Sequence, residues 1–189
     1  MNRRDLIATA GMFALALGAC STTPSSTATD VAPKRQEIDS GVDAALARLY
    51  ADTAGTKETV AKAKGVLVIP RIVSAGLVVG GSYGRGALRI GDRTDGYYRA
   101  TGASLGVVAG AESTDLFLLF MTDKALEKFR ASSGWTAGID ASVALVKLGT
   151  SGRADSETAR HDVVGFALTN GGLMANFAVE GTKLSKLDL

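Results

Sequence analysis

From Gly65 to Gly86 the chain reads as apolar residues punctuated by glycine. Gly65-Val66-Leu67-Val68-Ile69-Pro70 is followed by Ala75-Gly76-Leu77-Val78-Val79-Gly80-Gly81-Ser82-Tyr83-Gly84-Arg85-Gly86. Val and Ile are stiff at χ1 and suit a pleated, half-buried surface. Glycine inside a strand marks a bulge, a bend or the close approach of another backbone. This stretch therefore predicts closely packed, curved strands. The whole chain agrees: 189 residues hold 23 Gly, only 3 Pro and 46% hydrophobic residues, a composition that excludes disorder and can build a core.

The N-terminus constrains location. Asn2-Arg3-Arg4-Asp5 is a short charged head, and Leu6 to Leu17 is apolar and uncharged. That run is too short to span a bilayer, which needs about 20 apolar residues. It fits a cleaved export signal over 1–19. Leu17-Gly18-Ala19-Cys20 reads as a lipobox, and Cys20 is the only cysteine. Cys20 is thus the expected lipidation site and the first residue of the mature chain. Arg3-Arg4 before Leu6-Ile7 also resembles a twin-arginine export motif. Ser21 after the cysteine points toward the outer membrane of a double-membraned cell. Residues 20–29, rich in Ser, Thr, Pro and Ala, read as a flexible tether. Residues 30–189 form the single expected domain, lipid-anchored in the cell envelope and facing the periplasm. With one cysteine, no disulfide supports it.

Charge is close to balanced. Arg3, Arg4 and Asp5 leave with the leader, so 21 basic and 19 acidic residues become 19 and 18. That balance and export together argue against a nucleic-acid partner.

Val31, Ile38, Val42, Ala45, Leu46 and Leu49 recur at helical spacing and predict a helix over about 30–52. Its polar face mixes signs, so it is expected to pack on the domain and not to lie in a membrane surface. Thr56 to Lys64 predicts a second helix, with Thr56 as N-cap. Val66–Ile69 is a short strand ended by Pro70, and Val73 to Ile90 is extended chain before a turn at 91–96. Tyr97–Thr101, Ser104–Ala111 and Thr114–Met121 are further extended segments. Asp123 is expected to cap an inserted helix reaching about Ala131. Trp135 to Leu148 is extended again, and Asn170-Gly171-Gly172 is a hairpin signal between Val163–Thr169 and Leu173–Val179. Lys183–Leu189 adds a last strand. The predicted fold class is α+β: a glycine-rich, mostly antiparallel, curved or barrel-like sheet with two N-terminal helices and one inserted helix.

Four blocks carry a resemblance. Ala63–Pro70 with Ala75–Gly86, Ser113-Thr114-Asp115-Leu116-Phe117-Leu118-Leu119-Phe120-Met121, Gly138-Ile139-Asp140-Ala141-Ser142-Val143-Ala144, and Gly172-Leu173-Met174-Ala175-Asn176-Phe177-Ala178-Val179-Glu180-Gly181 occur in order. Together they resemble the SYLF-domain family from about Ala32 to the C-terminus. The resemblance implies a lipid-binding module. Eukaryotic members bind phosphoinositides and some bind actin, and bacterial members are exported proteins or lipoproteins. Ser74 and Gly171 stand where the family often carries basic residues, and Lys147-Leu148 replaces a more Gly/Pro-rich stretch. The resemblance thus implies lipid binding without fixing a phosphoinositide headgroup, and an exported lipoprotein has no use for actin.

No enzyme is expected. Gly80–Gly86 lacks the Gly-x-x-x-x-Gly-Lys-Ser/Thr pattern of a phosphate loop. His161 is the only histidine, and Asp155, Glu157 and Asp162 beside it make no usual zinc set. No Gly-x-Ser-x-Gly elbow supports a hydrolase. Asp140 in an apolar segment reads as a hydrogen-bonded or solvated acid. No cofactor and no metal are called for.

Basic residues remain as the binding candidates: Arg71 after the first strand, Arg85 and Arg89 around the glycine-rich stretch, and Lys183 and Lys186 in the last. Arg85 and Arg89, four apart on a strand, point the same way, and a guanidinium fork suits a phosphate. The competing reading is solvated edge charge that blocks aggregation. Tyr83, Tyr97, Tyr98 and Trp135 are amphipathic aromatics for a headgroup layer or for the core. The expected partner is an anionic phospholipid membrane. The alternative is a protein-interaction or structural envelope lipoprotein with an envelope protein as partner.

Overall fold

The structure is a computed structural model, which describes residues 28–76, 79–105, 108–145, 161–169, 172–173 and 181–189. Cys20, residues 21–27 of the tether, Asp155, Glu157, Lys147 and Gly171 lie outside the described residues, and the last two tether residues, Ala28 and Thr29, belong to the first helix. Among the described residues three helices, α1 (Ala28–Asp52), α2 (Thr56–Lys62) and α3 (Asp123–Ala131), accompany nine strands. The long strands are β1 (Gly65–Gly76), β2 (Val79–Ile90), β3 (Arg93–Leu105) and β4 (Val108–Phe120). The shorter ones are β5 (Trp135–Thr136), β6 (Ala144–Leu145), β7 (Val163–Thr169), β8 (Gly172–Leu173) and β9 (Lys183–Leu187). They form one curled sheet in the order β5-β9-β3-β2-β1-β4-β7-β6, with β8 on β7. All its pairings are antiparallel except β6 with β7. The fold is α+β, as the sequence predicts.

The continuous apolar runs arise because the sheet is covered on both faces. Leu67 and Ile69 of β1 join Leu116, Leu118 and Phe120 of β4 in one core, which α3 closes with Leu126 and Phe129. Val66 and Val68 join Phe117 and Leu119 in the other, under Ile38, Val42, Ala45 and Leu49 of α1. Those four helix residues are fully or almost fully buried, and their 4-3-4 spacing is the stripe of a helix lying on a surface. The three larger ones supply roughly 5–9 kcal/mol of gross hydrophobic stabilisation. Both cores draw on residues between Ile38 and Leu189, so a chain beginning at Cys20 keeps all of them.

Several predicted boundaries move. β1 does not stop at Pro70 but continues through it by a bulge. Its pairing with β4 shifts between Ile69 and Ile72, and Arg71 there has φ 52, unusual for a residue other than glycine. The bulge uses the extra residue, so the ladder resumes without losing its inward face. Opposite it, a Cβ on Gly86 would stand 1.8 Å from the Val68 carbonyl oxygen, so this glycine is obligatory. Thr56 does not cap α2. Gly55 holds that place with φ 81, and the buried Thr56 hydroxyl donates to Thr53 O and Leu49 O. The cap of α3 is Thr122, whose Oγ1 accepts from Ala125 N. Trp135 to Leu148 is not one extended segment. A turn at 138–140 interrupts it, and Asp140 Oδ2 accepts from Thr136 N at 2.6 Å.

Candidate functional site

The glycine-rich strand β2 alternates its two kinds of residue between the two faces. Gly84 and Gly86 face the α3 side, where an added Cβ would meet Ile69, Ile72 or Val68. Tyr83, Arg85, Ala87 and Arg89 face the α1 side. Arg85 and Arg89 do share a face, but they do different things. Arg89 is nearly enclosed, its side chain 16% exposed. It donates to Thr94 Oγ1 at 2.7 Å and Asp43 Oδ1 at 2.8 Å, and lies 3.4 Å from Asp39. Asp39 also accepts from Thr94 Oγ1 and from the Tyr97 hydroxyl, each at 2.8 Å. Burial, then the hydrogen bond and charge of Asp39, raise the Tyr97 pKa above its ordinary value. The acids of α1 thus neutralise Arg89, which fastens the helix and is not offered to a ligand.

Arg85 lies farther along the strand, beside the N-terminal half of α1, and its side chain is 38% exposed. Its one ion pair among the described residues is with the exposed Glu37, at 3.7 Å. Registers place other residues beside it. Arg85 is directly opposite Arg99 of β3, and Arg99 is opposite Ser185 of β9. The neighbouring row runs Val73, Tyr83, Thr101, Lys183 and Thr136 across β1, β2, β3, β9 and β5. Residues directly opposite share a face, with Cβ atoms about 4.5–5.5 Å apart. Arg99 and Lys183 are both exposed. No described acid pairs with Arg71, Arg99 or Lys183.

Among these cations lie two exposed apolar side chains, Val73 at 47% and Tyr83 at 51%. They line an open groove of about 450 Å³ with Arg71, Arg85, Glu37 and Pro70. Arg71 reaches it because of the bulge. Its backbone N–H donates to Asp115 Oδ1 at 2.8 Å. Asp115, 3% exposed, also accepts from Arg48 of α1. One buried carboxylate therefore holds both the bulge and the helix.

The five basic residues picked from the sequence do not form one surface. Arg71, Arg85 and Lys183 come to the α1 face, and Arg89 is used up beneath the helix. Lys186 lies on the opposite face, in a shallow groove with Asp95, Glu127 and Arg130. Lys183 and Lys186 are three apart on a strand, so they must diverge. Arg99 was missed, since only the register reveals it. Trp135 and Tyr98 belong to the core, at 1% and 5% exposure, whereas Tyr83 is open to solvent. His161 is exposed and lines none of the grooves described. No group of three or more His, Cys, Asp or Glu with metal-ligating geometry occurs among the described residues.

Residues 101–188 match the family model Ysc84, described as Las17-binding protein actin regulator. Over these residues the chain is consistent with a SYLF (Ysc84) domain. The match supports, at most, a lipid- or protein-interaction domain. The match takes in β4, α3 and β5 to β9, and includes Lys183 but not Arg71, Arg85 or Arg99. Three of the four cations of the basic face therefore lie outside the matched residues. No curated protein matches the chain significantly.

Proposed function

We propose that this chain is an exported, acylated envelope lipoprotein whose SYLF domain binds anionic phospholipid without catalysis. The observation that carries this reading is the Arg85–Arg99 pair. Like charges directly opposite on a sheet destabilise it. A fold that keeps such a pair at its surface, with Arg71 and Lys183 nearby and no described acid neutralising Arg71, Arg99 or Lys183, has given up stability at that spot. Departures from local consistency of this kind fall at functional sites.

The neighbours suit a membrane. Guanidinium forks match phosphate oxygens, and Tyr83 is the amphipathic aromatic that favours a headgroup layer. The groove is shallow and open, which fits a surface better than an enclosed small molecule. Acyl chains on Cys20 would hold the domain near the bilayer, and the tether would let the basic face turn toward it.

The test is co-sedimentation of the chain from residue 20, carrying Cys20→Ser, with vesicles. Phosphatidylglycerol-rich vesicles are expected to bind it at 0.05 M NaCl and to lose most of it at 0.5 M, because surface charges are then screened. Neutral phosphatidylcholine vesicles are expected to leave it in solution. Equal behaviour with both vesicle types would overturn the reading and turn the search to a protein partner, which the family description also allows.

A further inference from the structure

Ile139 is 80% exposed, the most exposed large apolar side chain described. A single exposed isoleucine is ordinary in itself. Its setting is not, because the turn that carries it is held rigid from several directions. Ile139 N and Asp140 N both donate to Thr136 O, at 3.2 and 2.9 Å, and Gly138 N donates to Ala141 O at 3.0 Å. The Asp140 carboxylate accepts from Thr136 N, and its carbonyl accepts from Lys128 Nζ. Gly138, at φ 83, supplies the left-handed residue the turn requires.

The turn is also fixed to the edge of the sheet. Ala137 N donates to Thr182 O at 3.1 Å, and Gly181 N donates to Ala137 O at 3.0 Å. Thr136 is opposite Lys183, at the end of the row that carries Tyr83 and Val73. The stiff apolar tip therefore stands at the sheet edge, next to Lys183 at the end of the cationic row and tied to Lys128 of α3.

We propose that Ile139 is a membrane anchor that enters the acyl boundary while Arg85, Arg99 and Lys183 meet headgroup phosphates. This rests on the membrane reading above. Charge and apolar insertion divide the task. The cations give attraction that salt removes, and Ile139 gives a part that salt leaves. A rigid turn suits this, since little conformational freedom is lost when the tip is buried.

The experiment uses the chain from residue 20 with Cys20→Ser, and Ile139→Trp as a depth probe. Native Trp135 is 1% exposed and supplies a constant background. Phosphatidylglycerol-rich vesicles are expected to shift the added emission to the blue, and lipids brominated on the acyl chain to quench it. Ile139→Ser, a change at an exposed site, is expected to lower vesicle partitioning by about tenfold, from the loss of one buried aliphatic side chain. A variant that sediments with vesicles but shows unshifted, unquenched emission overturns the anchor and leaves the membrane reading standing. Failure of the parent chain to bind any vesicle removes both.

Discussion

Asp115 is the single acid on which two distant parts of the fold depend, and its replacement has a calculable cost. Asp115→Ala removes the acceptor for Arg71 N–H at the bulge and the partner of Arg48. A hydrogen bond to a charged group contributes about 1.5–3 kcal/mol. The Arg48 side chain is 47% exposed, so water re-solvates it and its pairing is discounted to about 0.5–1 kcal/mol. The expected loss is about 2–4 kcal/mol. Asp115→Asn keeps a carbonyl oxygen for Arg71 N–H and loses mainly charge, so it should cost about half as much. Arg48→Ala should cost under about 1 kcal/mol. Urea unfolding of the four proteins measures all three differences. An Asp115→Ala variant within 0.5 kcal/mol of the parent, or an Arg48→Ala variant as damaged as Asp115→Ala, would refute the argument that the carboxylate acts chiefly through the bulge.

Gly86→Ala should be among the most damaging small changes, costing about 3 kcal/mol or more, because the new Cβ meets the Val68 backbone, which cannot rotate away. Gly91→Ala, at φ 59 with nothing near it, should cost only about 1 kcal/mol; comparable melting temperatures for the two would contradict this. Glu37→Gln should raise affinity for anionic vesicles by about threefold to fivefold, since it removes the acid facing Arg85; unchanged or lower affinity counts against the groove. Burial raises the pKa of Tyr50, Tyr97 and Tyr98 above 10.0. Their protonated forms are favoured by folding, so that stabilisation is complete below about pH 10 and is lost as pH rises through the folded values. Melts from pH 7 to 11 should show the decline beginning near pH 10, and Tyr97→Phe should soften it.

Much of the fold was legible because its signals are local. The 4-3-4 spacing of Ile38, Val42, Ala45 and Leu49 is the stripe that α1 buries. Leu116–Phe120 has no polar alternation because both of its faces are covered. The hairpin signal after Thr169 appears as the Leu168–Leu173 and Thr169–Gly172 pairs. Other features depend on distant partners. Pro70 looks like a strand terminator until the bulge at Arg71 and the acceptor from Asp115 are seen. The chain direction reverses between β1 and β2 and between β3 and β4, yet the residues there are apolar and carry no turn signal that stands out from their surroundings.

The candidate site was legible only as a list of cations. Arg89 and Arg85 have similar neighbours in sequence, and only the fold brings Asp43, 46 residues away, to Arg89. Arg99 lies among aromatic and small residues and gains meaning only from its register with Arg85. Lys183 and Lys186 differ by an odd number, so strand parity alone separates them once β9 is known to be a strand.

In the proposed function one sheet face, and not net charge, meets the membrane. The direct measurement compares two charge-matched variants of the chain from residue 20 with Cys20→Ser: Arg85→Ala/Arg99→Ala on the α1 face, and Lys124→Ala/Lys186→Ala elsewhere. Each basic residue near an anionic surface contributes about 1 kcal/mol, so the arginine variant should bind phosphatidylglycerol-rich vesicles about 30-fold more weakly. The lysine variant should stay within about threefold of the parent. Equal losses in both would show that binding follows overall charge, and would contradict the assignment of the Arg85–Arg99 face.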